Sequence, residues 1–315
     1  MNYIWLLIGF ILLIKGADYF VEGASSIAKR FKIPTLIIGL TIVAFGTSAP
    51  EAAVSITSAL KGQNEIALGN IIGSNIFNLL FVVGIAAVIC PLHVKKSMML
   101  KEFPFTVLSC IVLLIMMQDG FLQGETINSI SRGDGLILLL FFGIFMYYLI
   151  EVAITAREEA GEEVVVMSLG KSLLCTLGGI IGIVIGGQLV VDAASAIALS
   201  WGMSQNLVGL TIVAVGTSLP ELVTSIVAAR KGESDIALGN VIGSNLFNVF
   251  FILGISSVIH PIVVNGAVVA DSIFMLIVTL ITYLFAVTKK KINRLEGGIL
   301  VAVYVIYMAL IIIRG

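Results

Sequence analysis

Two short runs of oxygen-bearing side chains interrupt otherwise apolar sequence: Gly46, Thr47, Ser48, Ala49, Pro50, Glu51 and, 170 residues on, Gly216, Thr217, Ser218, Leu219, Pro220, Glu221. On a helix Thr47 and Glu51, four apart, share a face, and Ser48, three from Glu51, borders it. Pro50 has no N–H, so it releases the Gly46 carbonyl and kinks the helix, and Pro220 does the same to Gly216. Hydroxyls, loosened carbonyls and a carboxylate are hard oxygen donors. Calcium takes six to eight of these at roughly 2.3–2.6 Å. Cys90, Cys110 and Cys175 are scattered and fit no metal or disulfide spacing. His93 and His260, beside Pro91 and Pro261, have no companions that would complete a metal site. Soft metals such as zinc or copper are therefore not expected.

A second pair of runs carries more polar groups: Gly69, Asn70, Gly73, Ser74, Asn75, Asn78 and the twins Gly239, Asn240, Gly243, Ser244, Asn245, Asn248. Ser74 and Asn78 are again four apart, which favours them, with Ser244 and Asn248, as ligands. For Asn70, Asn75 and their twins two roles stay open, cation ligation or hydrogen bonding between helices.

These residues need a frame, and composition names its solvent. The 315-residue chain is 59% hydrophobic and 12% charged, whereas soluble domains carry about 25% charged residues. The lipid bilayer is its expected environment and nucleic acid is not an expected partner. Crossing the hydrocarbon takes about 20 apolar residues as a helix. Ten such spans are expected: 3–28, 35–60, 66–89, 103–117, 135–153, 171–199, 206–229, 236–259, 270–287 and 295–313. The first lacks a basic lead and a cleavage site, so it reads as a retained span rather than a signal peptide.

The chain repeats itself. GLTIVAFGTSAPE from Gly39 matches GLTIVAVGTSLPE from Gly209, and KGQNEIALGNIIGSNIFN from Lys61 matches KGESDIALGNVIGSNLFN from Lys231, at one offset without a gap. The fold class is therefore an all-α integral membrane protein, ten transmembrane helices in two five-helix repeats. Residues 1–155 form the first, 170–315 the second, and an acidic cytoplasmic linker over 156–169 joins them. Glu158, Glu159, Glu162 and Glu163 of that linker read as a solvated stretch, with calcium sensing the sharper alternative. Five is odd, so the second copy enters from the opposite side, the inverted build of secondary transporters with a site near the midplane. Lys61, Arg132 and Arg314 fall on the N-terminal side and fourteen other Lys and Arg residues on the opposite side, with Lys15 inside the first span. That bias puts both termini outside the cytoplasm, in a multi-pass cell-membrane protein. Glu51 and Glu221 then sit deep in lipid, where a carboxylate costs at least about 2.5–3.5 kcal/mol and marks function.

GTSxPE followed by GNxxGSNxxN, twice and in opposite orientation, resembles the repeats of the sodium/calcium exchanger family within the cation/calcium antiporters, in a prokaryotic member. The resemblance implies a secondary active antiporter that exchanges Ca2+ for Na+ by alternating access, not an enzyme, with no cofactor beyond the transported ions. Its ligands would be Ala44 (carbonyl), Thr47, Ser48, Glu51, Ser74 and Asn78, with Ala214 (carbonyl), Thr217, Ser218, Glu221, Ser244 and Asn248. The first and sixth helices, which carry Asp18, Glu22 and Asp192, would slide and line the access paths, although Glu22 also reads as a hydrated group near a helix end. Asn248 stands where potassium-dependent relatives have Asp, which implies potassium-independent exchange, electrogenic if more than two Na+ replace one Ca2+, by a monomer. Proton/calcium exchange on the same fold is the alternative. A passive channel would need weak serial sites, and an enzyme would need a nucleophile–base set that is absent.

Overall fold

The computed structural model describes residues 2–62, 64–122, 124, 126–159, 167–202 and 214–314. Twelve helical segments carry the architecture: α1 (Asn2–Phe31), α2 (Thr35–Thr47), α3 (Ala49–Leu60), α4 (Ile66–Ile89), α5 (Met98–Met116), α6 (Arg132–Glu159), α7 (Leu169–Ser200), α8 (Ala214–Gly216), α9 (Leu219–Arg230), α10 (Ser234–Ile259), α11 (Gly266–Lys289) and α12 (Arg294–Arg314). Among the described residues, eight helices are long and apolar enough to cross a membrane, and α2 with α3, bent by 51°, makes a ninth if counted as one span. The expected span at 206–229 begins outside the described residues; only α8 and α9 of it are seen. The linker residues 160–166 also lie outside them. All-helical spans satisfy their own backbone polar groups, as lipid requires.

Burial sorts the helices into layers. α4 and α10 are 78% buried over their apolar stretch, against 17–44% for the other long helices. They form the centre, and α2, α3 and α9 pack on them. α1 and α7 lie along each other on one flank through a seam of glycines. A methyl group on Gly16 would come 2.8 Å from the Ile183 nitrogen, one on Gly179 2.6 Å from the Phe20 nitrogen, and one on Gly186 2.6 Å from the Leu13 nitrogen. Small residues permit this backbone approach in helices that have no water-driven force between them.

Two antiparallel ribbons tie the halves together at opposite ends. β1 (Leu92–His93) pairs with β4 (Lys291–Ile292), and β2 (Ser129–Ile130) with β3 (Ile262–Val263). Polar contacts gather at the same two ends. Near the first, Lys29 meets Glu233 at 3.3 Å, Lys231 meets Asp18 at 2.7 Å and Glu22 at 4.0 Å, and Lys95 pairs with Asp235. Near the second, the Arg132 guanidinium donates to the Ile259 carbonyl at 3.4 Å.

Candidate cation-binding site

The expected proline kinks take a different form. The helix breaks outright at Ser48, whose φ of −83° and ψ of 10° leave the α region, and again at Ser218 with −94° and 7°. Pro50 and Pro220 then sit in the first turn of α3 and α9, where a missing N–H costs nothing. A serine at such a break ordinarily caps its own helix, but neither does so. Ser48 Oγ instead donates to Glu221 Oε1 at 2.8 Å, and Ser218 Oγ donates to Glu51 Oε1 at 2.9 Å. Each glutamate occupies the first turn of its helix, where the partial positive charge of the N-terminus favours a carboxylate.

The central helices complete the shell. Ser74 Oγ donates to Glu51 Oε1 at 3.4 Å and Ser244 Oγ to Glu221 Oε1 at 3.3 Å. Thr47 Oγ1 donates to Asn240 Oδ1 at 2.9 Å, and Thr217 Oγ1 to Asn70 Oδ1 at 3.5 Å. The Ala44 carbonyl accepts from Ser48 N at 3.0 Å and faces Ser244 Oγ at 3.4 Å, so it does reach the other half. On the twin side Ser218 N–H turns to the Val215 carbonyl at 3.2 Å, and Ala214 stands at the edge of the described residues. Asn78 and Asn248 each open or occupy a π-helical turn, 78–82 and 247–252. Such turns add a residue to the helix and are frequent at functional sites.

Nine of these side chains are almost wholly buried: Thr47, Ser48, Glu51, Ser74, Asn78, Ser218, Glu221, Ser244 and Asn248 are each at most 2% exposed, with Thr217 at 9%. Four oxygens among them have no hydrogen-bond partner: Glu51 Oε2, Glu221 Oε2, Asn78 Oδ1 and Asn248 Oδ1. A buried acceptor without a donor costs about 1–3 kcal/mol, more when charged. Four such acceptors, all oxygens, suit a hard cation.

The twin sides of the site differ in cover. Gly69 and Gly73 are exposed and Asn70 is half-buried, while Gly239, Asn240 and Gly243 are buried. A methyl on Gly243 would lie 2.6 Å from the Leu40 carbonyl of α2. Residues 203–213, the counterpart of that part of α2, are outside the described set.

Other acids behave differently. Asp18 and Glu22 are half-exposed partners of Lys231, and Asp192 accepts from Gln188 at 2.8 Å within α7. None of them reaches the centre. Glu102, which in the sequence only marks the start of a span, is buried and accepts a short hydrogen bond from Tyr148.

A model of the sodium/calcium exchanger protein family matches residues 1–151 and 171–313. The chain belongs to the sodium/calcium exchanger family. Relatives span its full length. The putative antiporter CaxA of Alkalimonas amylolytica is 38% identical over 98% of both chains. The sodium/calcium exchanger MaX1 of Methanosarcina acetivorans is 31% identical over 99% of this chain and 98% of its own. A structure of the sodium-calcium exchanger NCX_Mj, soaked with 10 mM Na+ and 10 mM Sr2+, superimposes with a TM-score of 0.84 at 35% identity, covering 98% of this chain and 97% of that one. This exchanger-family chain is accordingly a multi-span membrane protein with the helical fold of NCX_Mj.

Proposed function

We propose that the chain is a secondary active antiporter that exchanges Ca2+ for Na+, with the transported ion held between Glu51 and Glu221. The observation that carries the reading is the set of four buried acceptor oxygens without donors, contributed equally by the two halves. The hydroxyls of Ser48, Ser74, Ser218 and Ser244 give their protons to the Oε1 atoms. Their lone pairs, the Oε2 atoms, the Asn78 and Asn248 carbonyls, Thr47, Thr217 and the main-chain carbonyls of Ala44 and Ala214 are then the ligands. Names and structures of relatives point to the same ions.

Calcium balances both carboxylates. With Asn at 78 and 248 the site has two formal charges, so more than two Na+ exceed them, and exchange is electrogenic and potassium-independent. Either filled state neutralises the glutamates and lets α1 and α7 slide, whereas the empty, doubly charged site does not switch. The reciprocal contacts at the 170-residue offset support two inverted five-helix repeats, ten spans in all, and the bias of Lys and Arg supports both termini outside. The site is complete in one chain, which supports a monomer.

The deciding experiment is calcium-45 uptake into proteoliposomes loaded with sodium, potassium or choline at matched pH, with a protonophore present. Uptake from sodium-loaded vesicles alone is expected. With the protonophore left out, uptake driven by an imposed pH gradient without sodium would instead favour proton exchange, and uptake whatever the internal cation would favour a channel.

A further inference from the structure

We propose that Asn75 and Asn245 are positioning residues that fix which end of the Asn248 and Asn78 amides faces the ion, each acting on the ligand of the opposite half. The inference rests on the calcium-site reading above. The two ends of an asparagine amide are nearly identical in shape, but they are opposite in charge. Turned one way, Asn248 offers a carbonyl oxygen to a cation; turned the other, it offers an NH2 group that repels it. A site that relies on two such amides needs something to set their direction.

The direction is anchored in the main chain, where there is no ambiguity. The Asn245 carbonyl can only accept, and Asn75 lies against it with Nδ2 at 3.3 Å. Asn75 must therefore face that carbonyl with its NH2 and turn its Oδ1 the other way. That Oδ1 meets Asn248 Nδ2 at 3.0 Å. Asn248 is thereby held by its NH2, and its Oδ1 is left buried and without a donor. The mirror chain is complete: Asn245 Nδ2 donates to the Asn75 carbonyl at 3.3 Å, and Asn78 Nδ2 donates to Asn245 Oδ1 at 3.1 Å, leaving Asn78 Oδ1 without a donor. All four amides are at most 2% exposed. Asn75 and Asn245 each accept with the side-chain oxygen and donate with the nitrogen. This resolves their two open roles toward positioning rather than ligation.

The test uses purified full-length protein in proteoliposomes and reads KM for Ca2+ against kcat. Asn75→Leu removes the acceptor that holds Asn248 but keeps the Asn75 carbonyl that holds Asn245, so only Asn248 is released. Loss of a partner that orients a metal ligand typically lowers affinity about 10–100-fold, and a rise in KM of that order is expected, with kcat much less affected. An Asp offers oxygen whichever way it turns. Asn75→Leu combined with Asn248→Asp should therefore recover KM to within a few-fold of the parent. Asn75→Leu combined with Asn78→Asp adds the same charge at the mirrored place and should not recover it, because Asn248 is still without the acceptor that held it. An unchanged KM in Asn75→Leu, or equal recovery by both Asp variants, overturns the proposal. If Asn75→Leu does not accumulate, Asn75→Ala carries the same expectations, since small residues are tolerated between membrane helices. Glu51→Gln is measured alongside. Exchange of parental affinity in that variant would sink the calcium-site reading itself, whereas a dead Glu51→Gln with a normal Asn75→Leu would sink only the role of the asparagines.

Discussion

At the residue scale the two glutamates carry unequal demands on their two oxygens. Oε1 of each is held by serines from both halves, and Oε2 is held by nothing. Replacing the unheld oxygen by an amide nitrogen presents N–H groups where a cation should sit. Glu51→Gln and Glu221→Gln should each abolish sodium-driven calcium uptake, and a normal rate in either would remove that residue from the site. Ser48→Ala should do less. It strips one donor from Glu221 Oε1 while Ser244 still donates, so a loss of about 1–3 kcal/mol is expected, read as a roughly 5–150-fold rise in KM for Ca2+.

At the element scale the α1–α7 seam is set by what glycine lacks. A side chain at Gly16 meets the main chain of α7 at under 3 Å on three atoms. Gly16→Val should force the helices apart, at about 1–3 kcal/mol for such overpacking. Thermal melting in detergent should fall by several degrees and exchange should slow. Gly298 of α12 has open space around it, so Gly298→Ala should leave both unchanged or raise the melting point slightly. Much at this scale was legible in the sequence. Long apolar runs announced the helices, and the exact repetition of GTSxPE and GSNxxN announced that Glu51, Ser74 and their twins would meet. The bend of 51° lies where the proline motif predicts it, but as a break at Ser48, because proline in a helix interior and proline in a first turn have the same local sequence. Which face of α4 an asparagine takes depends on a π-helical turn, and a period of 3.6 residues cannot foretell one. The Lys231 contacts with Asp18 and Glu22 join residues more than 200 positions apart, and no spacing encodes them.

At the scale of the whole molecule, charge is the quantity that crosses the membrane. On the proposed reading one Ca2+ matches Glu51 and Glu221, and more than two Na+ would carry excess positive charge back. In sodium-loaded vesicles taking up calcium, net positive charge then leaves the lumen. An inside-negative potassium diffusion potential set with valinomycin should slow uptake, and an inside-positive one should speed it. Uptake indifferent to voltage would mean a charge-balanced exchange of two Na+ per Ca2+.

The reciprocity of the serine and asparagine contacts reaches beyond this chain. Neither half completes its own carboxylate: Glu51 is held by Ser218 and Glu221 by Ser48. In the inverted reading, a gene for one half would give a working site only as a homodimer of two copies inserted in opposite directions. Such a dual-topology ancestor must carry no bias of Lys and Arg between its loops, or one orientation would be lost. On that reading the bias expected from the ten-span topology, fourteen against three, would be tolerated only after fusion fixed each half in its own direction.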